Sequence, residues 1–233
     1  MKNKHKVRIV LFLLIGCLSS CFHQPSLKDY IVSNDFCDSC NKWSGYYFYH
    51  RYYLEGCDDC LDSALMLIDE ALPICIEERY DMSIRKLAVL CGKQEYDKAI
   101  SFMDSICFVG HNYSCYEAVI RKRLYAMKYQ SVGDIPERNR YLQEIIDILG
   151  NYLANSSAAV DSVWKNIDWE YQYDSIVMST NQYYLYLSVL KGGDFTYRKL
   201  DSLYINGKIN TVGLEVLQNT CASRGEFMVF KGV

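Results

Sequence analysis

The chain has 233 residues, 50% hydrophobic and 23% charged, a balance that supports one helical domain or two small ones and excludes disorder throughout. Its 3 Pro and 13 Gly exclude collagen-like and Pro-rich linker classes. The formal charge is -3, but Lys2, Lys4, Lys6 and Arg8 account for four of the 25 basic residues; the other 21 face 28 acidic ones, and that -7 excludes a basic nucleic-acid-binding body.

Residues 1–20 begin with the basic cluster Lys2 to Arg8, followed by an apolar run from Ile9 to Leu18 broken only by Gly16 and Cys17. The run is about ten residues, roughly half of what a bilayer-spanning helix needs, and so predicts an export signal. The segment Leu18-Ser19-Ser20-Cys21 resembles the lipobox of bacterial lipoproteins, in which an aliphatic and two small residues precede a cysteine that is lipidated and becomes the new N-terminus. The resemblance implies lipidation of Cys21. Leu14-Ile15-Gly16-Cys17 fits the same pattern and stays open as a second site, although cleavage there leaves an apolar core of only about seven residues. An ordinary cleaved signal is the remaining alternative. Three acyl tails at about 0.8 kcal/mol per buried methylene would make attachment effectively permanent. The expected location is therefore the cell envelope, lipid-anchored, at the outer membrane.

Residues 21–42 lack sustained periodicity and carry Pro, Ser, Asn and Asp, which predicts a tether behind the lipidated cysteine. From 43 to 210 apolar residues recur every three and four positions, the helical period. The clearest unit is 81–107. Asp81 can cap a helix through Ile84, Leu87, Ala88 and Leu90 to Cys91, Gly92 ends it, and a second helix opens with Tyr96-Asp97-Lys98-Ala99-Ile100. This resembles a tetratricopeptide repeat, whose second helix opens with an aromatic residue, acid, base and Ala. The small Ala serves a close helix crossing. Leu61-Asp62-Ser63-Ala64-Leu65 is a second copy, with Ala64 35 residues before Ala99, and Gly192-Gly193-Asp194-Phe195 a degenerate third after a Tyr-rich helix from about Ser179 to Leu190. Helices from Tyr113 to Tyr129 and from Pro136 to Leu153 form a pair without the signature alanine, and 154–170 reads as one irregular helix. The resemblance implies an all-α fold, a short right-handed solenoid of antiparallel helix pairs; a non-repetitive helical bundle is the alternative. Residues 211–233, with a short helix at Val212 to Asn219, are expected to cap the array or to form a tail.

The chain has eleven Cys, two of them in the signal region. Cys37-Asp38-Ser39-Cys40 and Cys57-Asp58-Asp59-Cys60 have the spacing of a zinc ribbon. However, the intervening Trp43 to Gly56 reads as a helix whose roughly 12 residues would hold the pairs about 18 Å apart. Export also favours disulfides. A zinc or thiol-redox module on these pairs is therefore the runner-up reading, and no metal or cofactor is expected. Asp58 and Asp59 oppose the thiolate that redox chemistry needs. Cys107 and Cys115 could staple neighbouring helices; Cys75, Cys91 and Cys221 read as small core residues.

No metal-binding His spacing, nucleophile elbow or phosphate-cradling loop occurs, so no enzyme activity is expected. Tyrosine is the other excess, 21 residues, crowded at 46–53 and at 183–186. One helical stripe cannot bury them all. Tyr46, Tyr49, Tyr53, Tyr183 and Tyr186 are the candidate binding residues, on a concave face that would meet an envelope protein, a peptide or a glycan; core filling is the alternative. Finally, Asp-Ser-apolar triplets at Ser63, Ser105, Ser162, Ser175 and Ser202 resemble the acceptor of general O-glycosylation in Bacteroidetes. The expected function is a membrane-anchored, non-catalytic helical scaffold.

Overall fold

A computed structural model describes residues 36–106, 115–168 and 175–222. Every element among the described residues is helical. The chain divides into two compact units, residues up to Met82 and residues from Ser83 onward, so the stretch expected to be one array is split.

In the first unit, α1 (Phe36–Gly45) runs directly into a π-helical stretch (Tyr46–Leu54), and α2 (Cys60–Ala71) packs back against both. Helix therefore starts inside the segment expected to be tether. The reason is a face spaced by four: Cys40, Ser44, Phe48 and Tyr52 are all buried. Helical segments with i→i+5 bonding are rare and short. Here the wider coil brings rings four residues apart nearly over one another: Phe48 stacks on Tyr52 (6.3 Å, 10°), Tyr49 on Tyr53 (6.1 Å) and Tyr46 on His50 (5.6 Å). Ala64 is wholly buried in α2. A Cys37–Cys75 disulfide ties the start of α1 to the chain beyond α2.

Next comes α3 (Arg79–Gly92), in whose first turn Asp81 lies. The second unit, from Ser83, continues through α4 (Tyr96–Met103), α5 (Tyr116–Ser131), α6 (Ile135–Asn155), α7 (Ser157–Asn166), α8 (Ser175–Lys191), α9 (Gly193–Ile205) and α10 (Thr211–Ala222). Ala99 is wholly buried, and α4 packs most extensively on α5, while Lys86 of α3 lies 4.4 Å over the Phe102 ring. Three helices end in the same closure. After α5 and α9 the left-handed residue is Gly133 and Gly207, and the next amide donates back to Tyr129 and Leu203 respectively, each at 2.9 Å. After α3 that position is Gln94 (φ 58°), with Glu95 N–H donating to the Leu90 carbonyl at 2.9 Å.

The α5/α6 pair is the most extensive packing in the unit. Asp134 caps α6 by accepting from the Glu137 amide (3.2 Å), with Pro136 in the first turn where its missing N–H costs nothing. Tyr141 stacks on Tyr125 and Tyr129 at 5.0 and 5.6 Å, and Lys122 bridges to Glu144 at 2.6 Å. Next, α8 lies against α6, α9 and α10. It buries Ile176, Val177, Ser179, Thr180, Tyr184, Leu185, Tyr186, Leu187 and Ser188, residues that go all the way round it. One continuous core then extends from Val119 through Leu142, Ile145, Leu149 and Trp164 to Leu217 and Cys221.

Candidate functional site

The second unit holds an open cavity of about 330 Å³ among α6 to α10. Leu153 comes from α6, Val160 from α7, Leu203 from α9, Ile209 from the turn before α10 and Leu217 from α10; together they make an aliphatic wall. Gly150 of α6 lies beside α8, where a Cβ would make an ordinary contact of 3.5 Å with the Tyr183 ring. Tyr183 and Tyr184 supply the aromatic side, with their rings 5.1 Å apart and edge to face.

Polar groups at the cavity are few and mostly used. The Trp164 indole N–H donates to the Thr180 hydroxyl at 3.1 Å, and that hydroxyl donates to the Ile176 carbonyl at 2.7 Å. Lys208 Nζ meets Asp161 Oδ2 at 2.7 Å, and this hydrogen bond, opposed by desolvation and aided by the attraction of Lys208 and Lys165, holds the Asp161 carboxyl below the usual range. Lys199 Nζ donates to the Tyr183 hydroxyl at 3.2 Å and lies 5.3 and 5.9 Å from the Tyr183 and Tyr184 ring centres. Burial pushes the Tyr184 phenol up, with Tyr183 and Cys221 adding to it, so it stays a neutral hydroxyl.

Behind this floor, Asn210 locks α7 to α10. Its side-chain oxygen accepts from the Gly213 amide at 2.8 Å, capping α10, while its amide nitrogen donates to the Ile167 carbonyl at 2.8 Å. Gly213 eases the approach, since a Cβ would lie 3.0 Å from the Trp164 ring and 3.3 Å from Ile167 and one of them would have to give by a few tenths of an ångström. A smaller cavity of about 100 Å³ lies between α3 and α5, lined by Leu87, Cys91, Ile120 and Met127 among others. Burial raises the Cys91 thiol there to about 12, slightly offset by Arg123.

The five expected binding tyrosines are divided between the two units. Tyr46, Tyr49 and Tyr53 belong to the first unit, the first two exposed and the third half-buried. Tyr183 and Tyr186 belong to the second. Tyr183 lines the cavity, but Tyr186 is only 1% exposed and is a core residue of a helix whose buried positions go all the way round. Cys17 and Cys21 lie outside the described residues.

The cysteines of the two CxxC pairs do not converge. Cys37 bonds to Cys75, Cys57 bonds to Cys60, and Cys40 is a buried thiol whose pKa is raised by burial and by Glu70. Glu78 lies within 4.8 Å of the Cys37 and Cys75 sulfurs, but those sulfurs are joined to each other. Cys115 is a free, half-buried thiol, and Cys107 lies outside the described residues. Ser105, Ser162 and Ser202 of the Asp-Ser triplets are exposed, and Ser63 and Ser175 half-buried.

Sequence reasoning nominated Tyr183 but missed Lys199, Lys208 and Asp161. The last two lie 47 residues apart and carry no local signal of their pairing. Comparison with protein-family models, with curated proteins and with solved structures finds no match.

Proposed function

We propose that the protein is an envelope lipoprotein, held on the outer membrane through Cys21, whose helical body binds a protein, peptide or glycan without transforming it. The observation that carries this reading is the open cavity of the second unit. It has tyrosine and aliphatic walls and few polar groups, the makeup of a recognition site. The consecutive pairs α5/α6 and α9/α10, and the burial of Ala64 and Ala99, support a solenoid of tetratricopeptide type. In that arrangement the stacked pairs present the binding face and the lipid holds it at the membrane.

Two measurements test this. Radiolabelled palmitate should enter the wild-type chain and not Cys21→Ala; incorporation that persists in Cys21→Ala and vanishes in Cys17→Ala moves the anchor, and none in either removes it. Capture from native membranes with the intact chain should enrich an envelope component that Tyr183→Ala no longer enriches. Identical recovery by both chains refutes the cavity as the binding site.

A further inference from the structure

The cavity of the second unit carries unbalanced charge. At its rim Lys208 is neutralised by Asp161, whereas Lys199 makes no ion pair among the described residues and touches only the Tyr183 hydroxyl and the faces of two rings. The net result is one positive charge beside an apolar hollow.

We propose that this cavity binds a small amphipathic carboxylate, its apolar body against Leu153, Val160, Leu203 and Leu217 and its carboxylate on Lys199. This deepens the binding reading above and rests on it. Three observations select that ligand class. The volume of about 330 Å³, at roughly 30 Å³ per water-sized group, holds a body of about ten non-hydrogen atoms. The aliphatic wall offers the body of a ligand no hydrogen-bonding partner, and the Thr180 hydroxyl beside it already accepts from Trp164 and donates to Ile176, so an apolar body suits it better than a polyhydroxylated one. A cation would be repelled by Lys199, and a polyanion would find a single free charge, whereas one carboxylate balances it and also accepts from the ammonium.

The test is titration of the full chain with octanoate, its neutral isostere octanamide and octylammonium, followed by NMR or calorimetry. Octanoate should bind saturably with one-to-one stoichiometry, in the millimolar range or tighter for a ligand of this size. Octanamide should bind roughly threefold more weakly, the scale of one partly exposed ion pair, and octylammonium more weakly still. Lys199→Gln, a change at an exposed position, should erase the preference for octanoate while leaving octanamide binding in place. Leu203→Trp, which fills the hollow, should abolish both, with circular dichroism confirming that the variant folds. Equal affinity for octanoate and octanamide, an unchanged preference in Lys199→Gln, or no saturable binding overturns the proposal. If those results coincide with Tyr183-dependent capture of a membrane partner, the ligand class alone falls; if capture fails while octanoate binds as described, the partner-binding reading falls and the site remains.

Discussion

Asn210 makes a prediction that separates capping from clamping. Its side chain works in both directions, accepting from the Gly213 amide and donating to the Ile167 carbonyl, while its backbone amide donates to the Trp164 carbonyl at 3.0 Å. Asn210→Ala removes an N-cap, typically worth about 1 kcal/mol, and leaves the carbonyl of buried Ile167 without its side-chain donor, about 1–2 kcal/mol more. The expected loss is about 2–3 kcal/mol, or a fall in Tm of roughly 5–10 °C for a chain of this size. Asn210→Asp discriminates the two roles. It keeps the acceptor that caps α10, and a carboxylate suits a helix N-terminus. It also sets that charge against the carbonyls of Ile167 and Lys165, which wild-type Nδ2 meets at 2.8 and 3.3 Å. The aspartate chain should therefore be at least as unstable as the alanine chain. Urea denaturation followed by circular dichroism and tryptophan emission measures both. Full stability in Asn210→Asp, or a loss below about 0.5 kcal/mol in Asn210→Ala, refutes the clamp.

The two disulfides should differ in weight: Cys37–Cys75 spans 38 positions and Cys57–Cys60 only 3, so loop-closure entropy assigns about 4 kcal/mol to the first and under about 2 to the second, a contrast that paired Cys→Ser chains in urea would reveal. Gln94→Gly should stabilise by about 0.5–1 kcal/mol, since the left-handed cost to glutamine exceeds the added chain entropy of glycine; a lower urea midpoint would contradict the closure described for α3. The Cys91 thiol, raised to about 12, should resist Ellman's reagent at pH 8 until urea is added, and immediate labelling of that residue, mapped by mass spectrometry, would place it at the surface instead. Because Lys208 lowers the folded pKa of Asp161, its contribution is present at neutral pH and lost as pH falls through that lowered value; Asp161→Asn should flatten the acid limb of the stability profile, and an unchanged limb would show the ion pair to be inert.

Much of the helical framework can be read from local signals. Pro136 after Ser131 to Asp134 marks the α5/α6 turn within a few residues, and Gly192 marks the start of α9. Ala64 and Ala99, picked out by their place in the repeat-like pattern, are both wholly buried. The start of α1 does not show in this way: Cys40 falls in the stretch expected to be tether and becomes core only once α2 covers it. The π-helical stretch is equally hidden, since spacing by four in a run of tyrosines suits an ordinary helix too. The CxxC spacing points to pairing within or between the two motifs, yet Cys37 finds Cys75, a partner fixed by how α2 returns along α1. The cavity is illegible for a related reason: most of its residues come from five helices, and only Tyr183 and Tyr184 stand out by composition.

Helix α8 has a consequence for biosynthesis. Its seventeen residues carry no acidic side chain and a single basic one, Lys191 at the very end. Synthesis delivers this greasy rod before α9 and α10 exist to sheathe it. During that interval the nascent polypeptide is sticky, and products truncated at Lys191 should clump unless a holdase chaperone shields them.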